Sequence, residues 1–103
     1  AFAREDDATF FRHDIATAKA TGALGMGADT RVLAQRASGN AAFFQSLSAA
    51  LGGQIAYSPG GVLVCRGAEV IGAVGVSGDT GDCDEDCALA GITAAGLTRK
   101  DFA

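Results

Sequence analysis

The sequence predicts an α/β (α+β) domain: a mainly antiparallel sheet with helices packed against it. Two apolar runs, Val62–Cys65 and Val70–Val76, flank Arg66-Gly67-Ala68-Glu69. β-branched runs around a short glycine-containing loop are the signature of a β-hairpin. Several stretches on either side repeat apolar residues at helical spacing. At 103 residues, 49% of them hydrophobic, the chain holds one domain with a real core.

In chain order, Ala1–Arg4 reads as the tail of a strand, and Glu5-Asp6-Asp7 as a polar turn. A helix is predicted from Ala8 to about Ala23. Phe11, Ile15, Ala18 and Gly22 fall on one of its faces, widened by Phe10 and Ala20, and Gly22, Gly25 and Gly27 end it. Ala28-Asp29-Thr30 offers caps for a short second helix through Val32, Leu33 and Arg36. Ser38-Gly39-Asn40 breaks that helix. A third, Ala41–Ala50, carries Phe43, Phe44 and Leu47, with Leu51 just beyond, and stops at Gly52-Gly53. Gln54–Tyr57 reads as a strand, and Pro59-Gly60 turns into the hairpin.

The second hairpin strand is expected to be central, with Val74 buried. Gly72 and Gly75 lie three apart on it and so point to opposite faces. The gap on the outer face would admit the final helix, through Ala88 and Gly91, or a second chain. That final helix is expected over roughly Asp82–Ala95, burying Cys87, Ala88, Gly91, Ile92 and Ala95. Thr98–Ala103 reads as a frayed tail.

Net charge is −4 and the eight basic residues are scattered. Nucleic acid wants a concentrated cationic face, so it is not an expected partner. No apolar run approaches the ~20 residues of a membrane span, and no leader pattern is visible. Three cysteines, an odd number, argue against a closed disulfide framework. That pattern suits a reducing compartment, read here as the cytoplasm.

The motifs that could carry chemistry are few. Gly78-Asp79-Thr80-Gly81 leads from a strand into a helix, where backbone N–H groups can hold an anion. Asp79, Asp82, Asp84, Glu85 and Asp86 surround that position and read instead as capping a helix dipole. Asp82-x-Asp84-x-Asp86 copies half a calcium loop, but Cys87 stands where glycine is required. Cys83 and Cys87 share a helical face. They read as one buried and one partly exposed thiol rather than zinc ligands. Cys65 reads as core. Ser77 lies outside any G-x-S-x-G pattern, and no residue stands out as a nucleophile. His13 is the sole histidine and the one strong candidate iron ligand, with Phe10 and Phe11 beside it as apolar surface for a bound group, while its neighbours Arg12 and Asp14 fit a solvated helix face equally well.

Several stretches resemble the GlcG/HbpS-like, or haem-degrading domain, family, which includes the C-terminal domain of PduO-type proteins. They are Pro59-Gly60-Gly61-Val62, the run Glu69–Gly78, Asp84-Glu85-x-Cys87-Ala88-x-Ala90-Gly91-Ile92, and Asp14-Ile15-Ala16-x-Ala18-Lys19-Ala20. The resemblance implies a profilin-like or PAS-like layered fold and an even-numbered homo-oligomer. It also implies a helix and two strands before Ala1, the region implicated in haem binding among relatives, so the chain reads as N-terminally incomplete. For function it implies a small-molecule binding protein whose ligand is haem or a related tetrapyrrole. The alternative is a non-catalytic accessory protein of a metabolic operon, for glycolate or for cobalamin-linked diol use.

Overall fold

In the computed structural model, residues 1–100 are described. The hairpin forms where the sequence places it. Strand β1 spans Gly61–Arg66 and strand β2 spans Glu69–Gly75. Gly67-Ala68 turns between them, with Gly67 at φ 62°, a left-handed conformation open to glycine at little cost. The ladder runs Gly61↔Gly75 to Val64↔Gly72, then resumes at Cys65↔Val70, leaving Ile71 as a bulge.

A third strand, β3 (Thr98–Arg99), pairs antiparallel with β1, giving the order β2-β1-β3. Two expectations change here. The segment read as a frayed tail supplies a strand at Thr98–Arg99; residues 101–103 lie outside the described residues. The central strand is β1, not β2, and Val74 is half-buried on an edge strand. Gln54–Tyr57 and Ala1–Arg4 form no strand. Ile55 enters the core through its side chain alone.

Helix α1 spans Arg12–Met26, α2 Thr30–Gly39, α3 Ala41–Ala50 and α4 Gly81–Ala94. Helix α1 starts later than expected and continues through Gly22 and Gly25. It ends at Gly27, whose N–H donates to the Ala23 carbonyl at 2.9 Å with φ 71°. Glycine inside a helix costs about 1 kcal/mol against alanine. Gly22 is tolerated because a Cβ there would press into Ile55. The buried face of α1 is Lys19, Gly22 and Ala23, rotated from the expected stripe. Phe11 and Ile15 stay exposed.

Helices cover both sheet faces. Val62 and Val64 point to α4, where Ala88 and Ile92 complete a cluster with Val74 and Val76. The alternate residues of β1 face α1 and α2, the closest approach being at Gly61, where a Cβ would meet Thr30 and the Lys19 backbone. A second cluster, Ala28, Leu33 and Ile55, sits beneath α2.

Asp29 and Thr30 do not cap α2 as expected, because the sheet claims them. β3 reaches only Val64 and Cys65, so the Leu63 N–H lies beyond its end. Asp29 Oδ1 accepts that N–H at 2.8 Å, and Asp29 Oδ2 accepts from Arg99 at 2.6 Å. Thr30 Oγ1 accepts the Gly61 N–H at 2.9 Å. Asp29 is fully buried, and an unpaired N–H there would cost about 1–3 kcal/mol.

Candidate functional site

A cleft of about 1100 Å³ runs along the outer side of β2. Ala73–Val76, at the end of the edge strand β2, line it between two helices. One wall is α1, from Arg12 and His13 to Thr21. The other is α4, through Cys83, Asp84 and Cys87, and residues near the N-terminus complete the rim. The wall stands this close because of Gly75, where a Cβ would land on the Ala16 carbonyl oxygen. The neighbour that Gly75 admits is therefore α1, not α4 or a second chain. Gly72 faces open space.

The base of the cleft is held by an ion pair inside the protein. Lys19 Nζ donates to Asp84 Oδ2 at 3.0 Å and to the Val76 carbonyl at 2.9 Å. Asp84 Oδ1 accepts the Asp79 N–H at 2.9 Å. Both side chains are almost fully buried. One lysine thus ties α1 to the end of β2 and to α4. Gly60, at φ 129°, leaves room for it: a Cβ would stand 2.9 Å from Lys19 Nζ and 3.0 Å from Asp84 Cβ.

The acidic start of α4 is only partly a cap. Thr80 is the N-cap residue, its Oγ1 accepting the Cys83 N–H at 3.3 Å. Asp84 and Glu85 are buried and committed to cations on other helices. Arg31 Nε donates to both Glu85 oxygens at 3.1 Å, and its Nη2 pairs with Asp82. The Asp82 hydrogen bond, then Glu85, raises the Arg31 guanidinium above its ordinary value, so it stays charged at any working pH. Asp82, Asp84 and Glu85 are thus already paired, and among the described residues no group of three or more His, Cys, Asp or Glu is arranged to hold a metal. The buried stripe of α4 is Asp84, Glu85, Ala88 and Ile92; Cys87, Gly91 and Ala95 are exposed, against expectation. Both Cys83 and Cys87 are exposed, which replaces the expected buried-and-exposed pair. Cys65 is buried as read.

His13 lines the cleft. Its ring stacks on Phe2, centroids 4.1 Å apart and planes tilted by 32°. Phe10 and Phe11 meet edge to face at 5.6 Å, remain exposed, and lie outside the lining. The structure therefore brings His13 together with Phe2 rather than with Phe10 and Phe11. Beside His13, Arg12 Nη1 donates to Ser77 Oγ at 3.2 Å and closes α1 onto the loop after β2. Arg4 also lines the cleft, donating to the Ala8 carbonyl at 3.0 Å.

A family profile described as haem degrading protein, HbpS-like, matches residues 1–93. The chain belongs to the HbpS-like family. A comparison with curated protein sequences finds no match. Among solved structures, one described as the PduOC:heme complex superposes with a TM-score of 0.85 at 28% identity, covering 96% of this chain and 71% of that one. The HbpS-like fold is thus the α+β layering described above, and its PduOC relative is a haem complex. No helix among the described residues is long and apolar enough to cross a membrane.

Sequence reasoning missed Lys19 and Asp84 as a pair. One signal was present: Lys19 is the sole charged residue between Ile15 and Met26. Lysine is mostly exposed and almost never fully buried unless paired, so a lone lysine on an otherwise small and apolar stretch becomes a pair only through a distant partner.

Proposed function

We propose that this HbpS-like chain binds haem or a related tetrapyrrole in the cleft along β2, with His13 as the iron ligand. The observation that carries the reading is the place of His13. An imidazole stands at a cleft of about 1100 Å³ with an aromatic ring against it. Small-molecule sites are typically about 300–1000 Å³, so the space suits a large planar ligand. Imidazole is a strong ligand for iron. Arg4 and Arg12 offer cations for the ligand's carboxylates. Phe2 packs on the imidazole, and Phe10 and Phe11 add exposed apolar surface just before His13 in the chain. Bound haem would supply redox and oxygen chemistry of its own; the chain supplies position and exclusion of water. Family membership and the haem complex of the PduOC relative support the same ligand class.

Titration of the purified protein with hemin tests this. The expected result is a Soret shift saturating at one haem per chain, weakened at least tenfold in His13→Ala. An unshifted Soret band, or equal affinity in the variant, refutes the assignment.

A second reading is a non-catalytic homo-oligomer serving a partner protein. The β2 edge, unpaired among the described residues, favours it, with Val70 and Ile71 exposed at its start. A stable oligomer on sizing chromatography without any hemin response would select it.

A further inference from the structure

Cys83 and Cys87 are exposed, form no disulfide and stand together in the cleft wall. They lie one turn apart on α4, whose helix spans Gly81–Ala94. Residues four apart on a helix have Cβ atoms about 5–6 Å apart. A disulfide needs about 3.5–4.5 Å, so the helix holds the two thiols too far apart to close one. The same spacing lets two sulfurs converge on a metal ion between them. Thiolates select soft ions, copper(I) foremost among the common biological ones. Copper(I) is satisfied by two sulfurs in a line, so the lack of a third arranged ligand is no obstacle. Asp86, exposed on the same helix, adds negative charge that favours a cation.

We propose that Cys83 and Cys87 form a two-thiolate site for a soft, two-coordinate metal ion, with copper(I) as the fitting case. Each thiol loses its proton to solvent as its sulfur–metal bond forms, and no electron transfer is involved. The site shares the cleft with His13 but needs neither His13 nor haem.

The test is an anaerobic competition of reduced protein against bicinchoninate, with copper(I) supplied as its acetonitrile complex. The expected result is one copper(I) per chain with no change in assembly size. Losing one of two linked ligands weakens binding by about 100-fold or more. Cys83→Ser and Cys87→Ser should each show that loss, while Cys65→Ala and His13→Ala bind as the parent does. Both thiols are exposed, so melting temperatures of the serine variants should match the parent and exclude misfolding as the cause. Undiminished binding in either serine variant overturns the proposal. So does one copper per two chains with a doubling in size, which would place the thiol pair between molecules.

Discussion

Replacing Asp84 by Asn should expose how much the Lys19–Asp84 pair holds the fold together. The substitution keeps the shape and leaves an oxygen for the Asp79 N–H. It removes the charge that faces Lys19 Nζ at 3.0 Å. Lys19 would keep only the Val76 carbonyl while remaining almost fully buried. Breaking a buried pair from one side costs about 3–5 kcal/mol. The usual total stability of a domain is about 5–15 kcal/mol, so the variant stands near unfolding. At about 4–8 °C per kcal/mol for a domain of this size, the melting temperature should fall by more than about 12 °C. Urea denaturation of the parent, Asp84→Asn, Lys19→Met and the double variant closes a thermodynamic cycle. The double variant should be less destabilised than the two single losses added together, because it leaves no unpaired charge inside. Stability within about 0.5 kcal/mol of the parent for Asp84→Asn, the range of an ordinary surface change, would refute the pair as the clamp of the cleft.

The other predictions follow from the same contacts. Gly75→Ala should destabilise by about 1–3 kcal/mol or more, since its methyl group meets the Ala16 carbonyl; Gly72→Ala, in open space, should change the melting temperature little. Val62→Asp places a lone charge in the fully buried centre of β1 and should abolish soluble folded protein, as judged by circular dichroism. Calcium at sub-millimolar concentration should leave the melting temperature unchanged, because Asp82, Asp84 and Glu85 are committed to Arg31 and Lys19; a rise of several degrees would contradict that pairing.

What was legible in the sequence was what local chemistry decides. Gly67 between two β-branched runs marks the hairpin, and Phe44 with Leu47 at helical spacing marks α3. What was not legible depends on distant partners. Asp29 and Thr30 have the right identities for helix caps, and nothing within α2 reveals that the Leu63 and Gly61 N–H groups need them more. Thr98–Arg99 looks like a tail because its strand exists only through pairing with Val64 and Cys65. Burial on α1 departs from the expected stripe for a related reason. Phe11 and Ile15 outrank Ala16 and Ala20 in hydrophobicity, yet the sheet meets α1 at Gly75, where only small residues fit. His13 stands out in the sequence as the sole histidine. Its companion Phe2 lies eleven positions earlier, before the helix begins, and their contact emerges only in the folded chain.

The β2 cleft is the place where this HbpS-like chain is proposed to take its ligand. Nuclear magnetic resonance locates that place directly. In a ¹⁵N-labelled sample titrated with hemin, the iron should broaden the amide signals of His13–Thr17 and Ala73–Val76 first, and leave α3 sharp. Broadening centred on α2 or α3, with those cleft signals untouched, would contradict it.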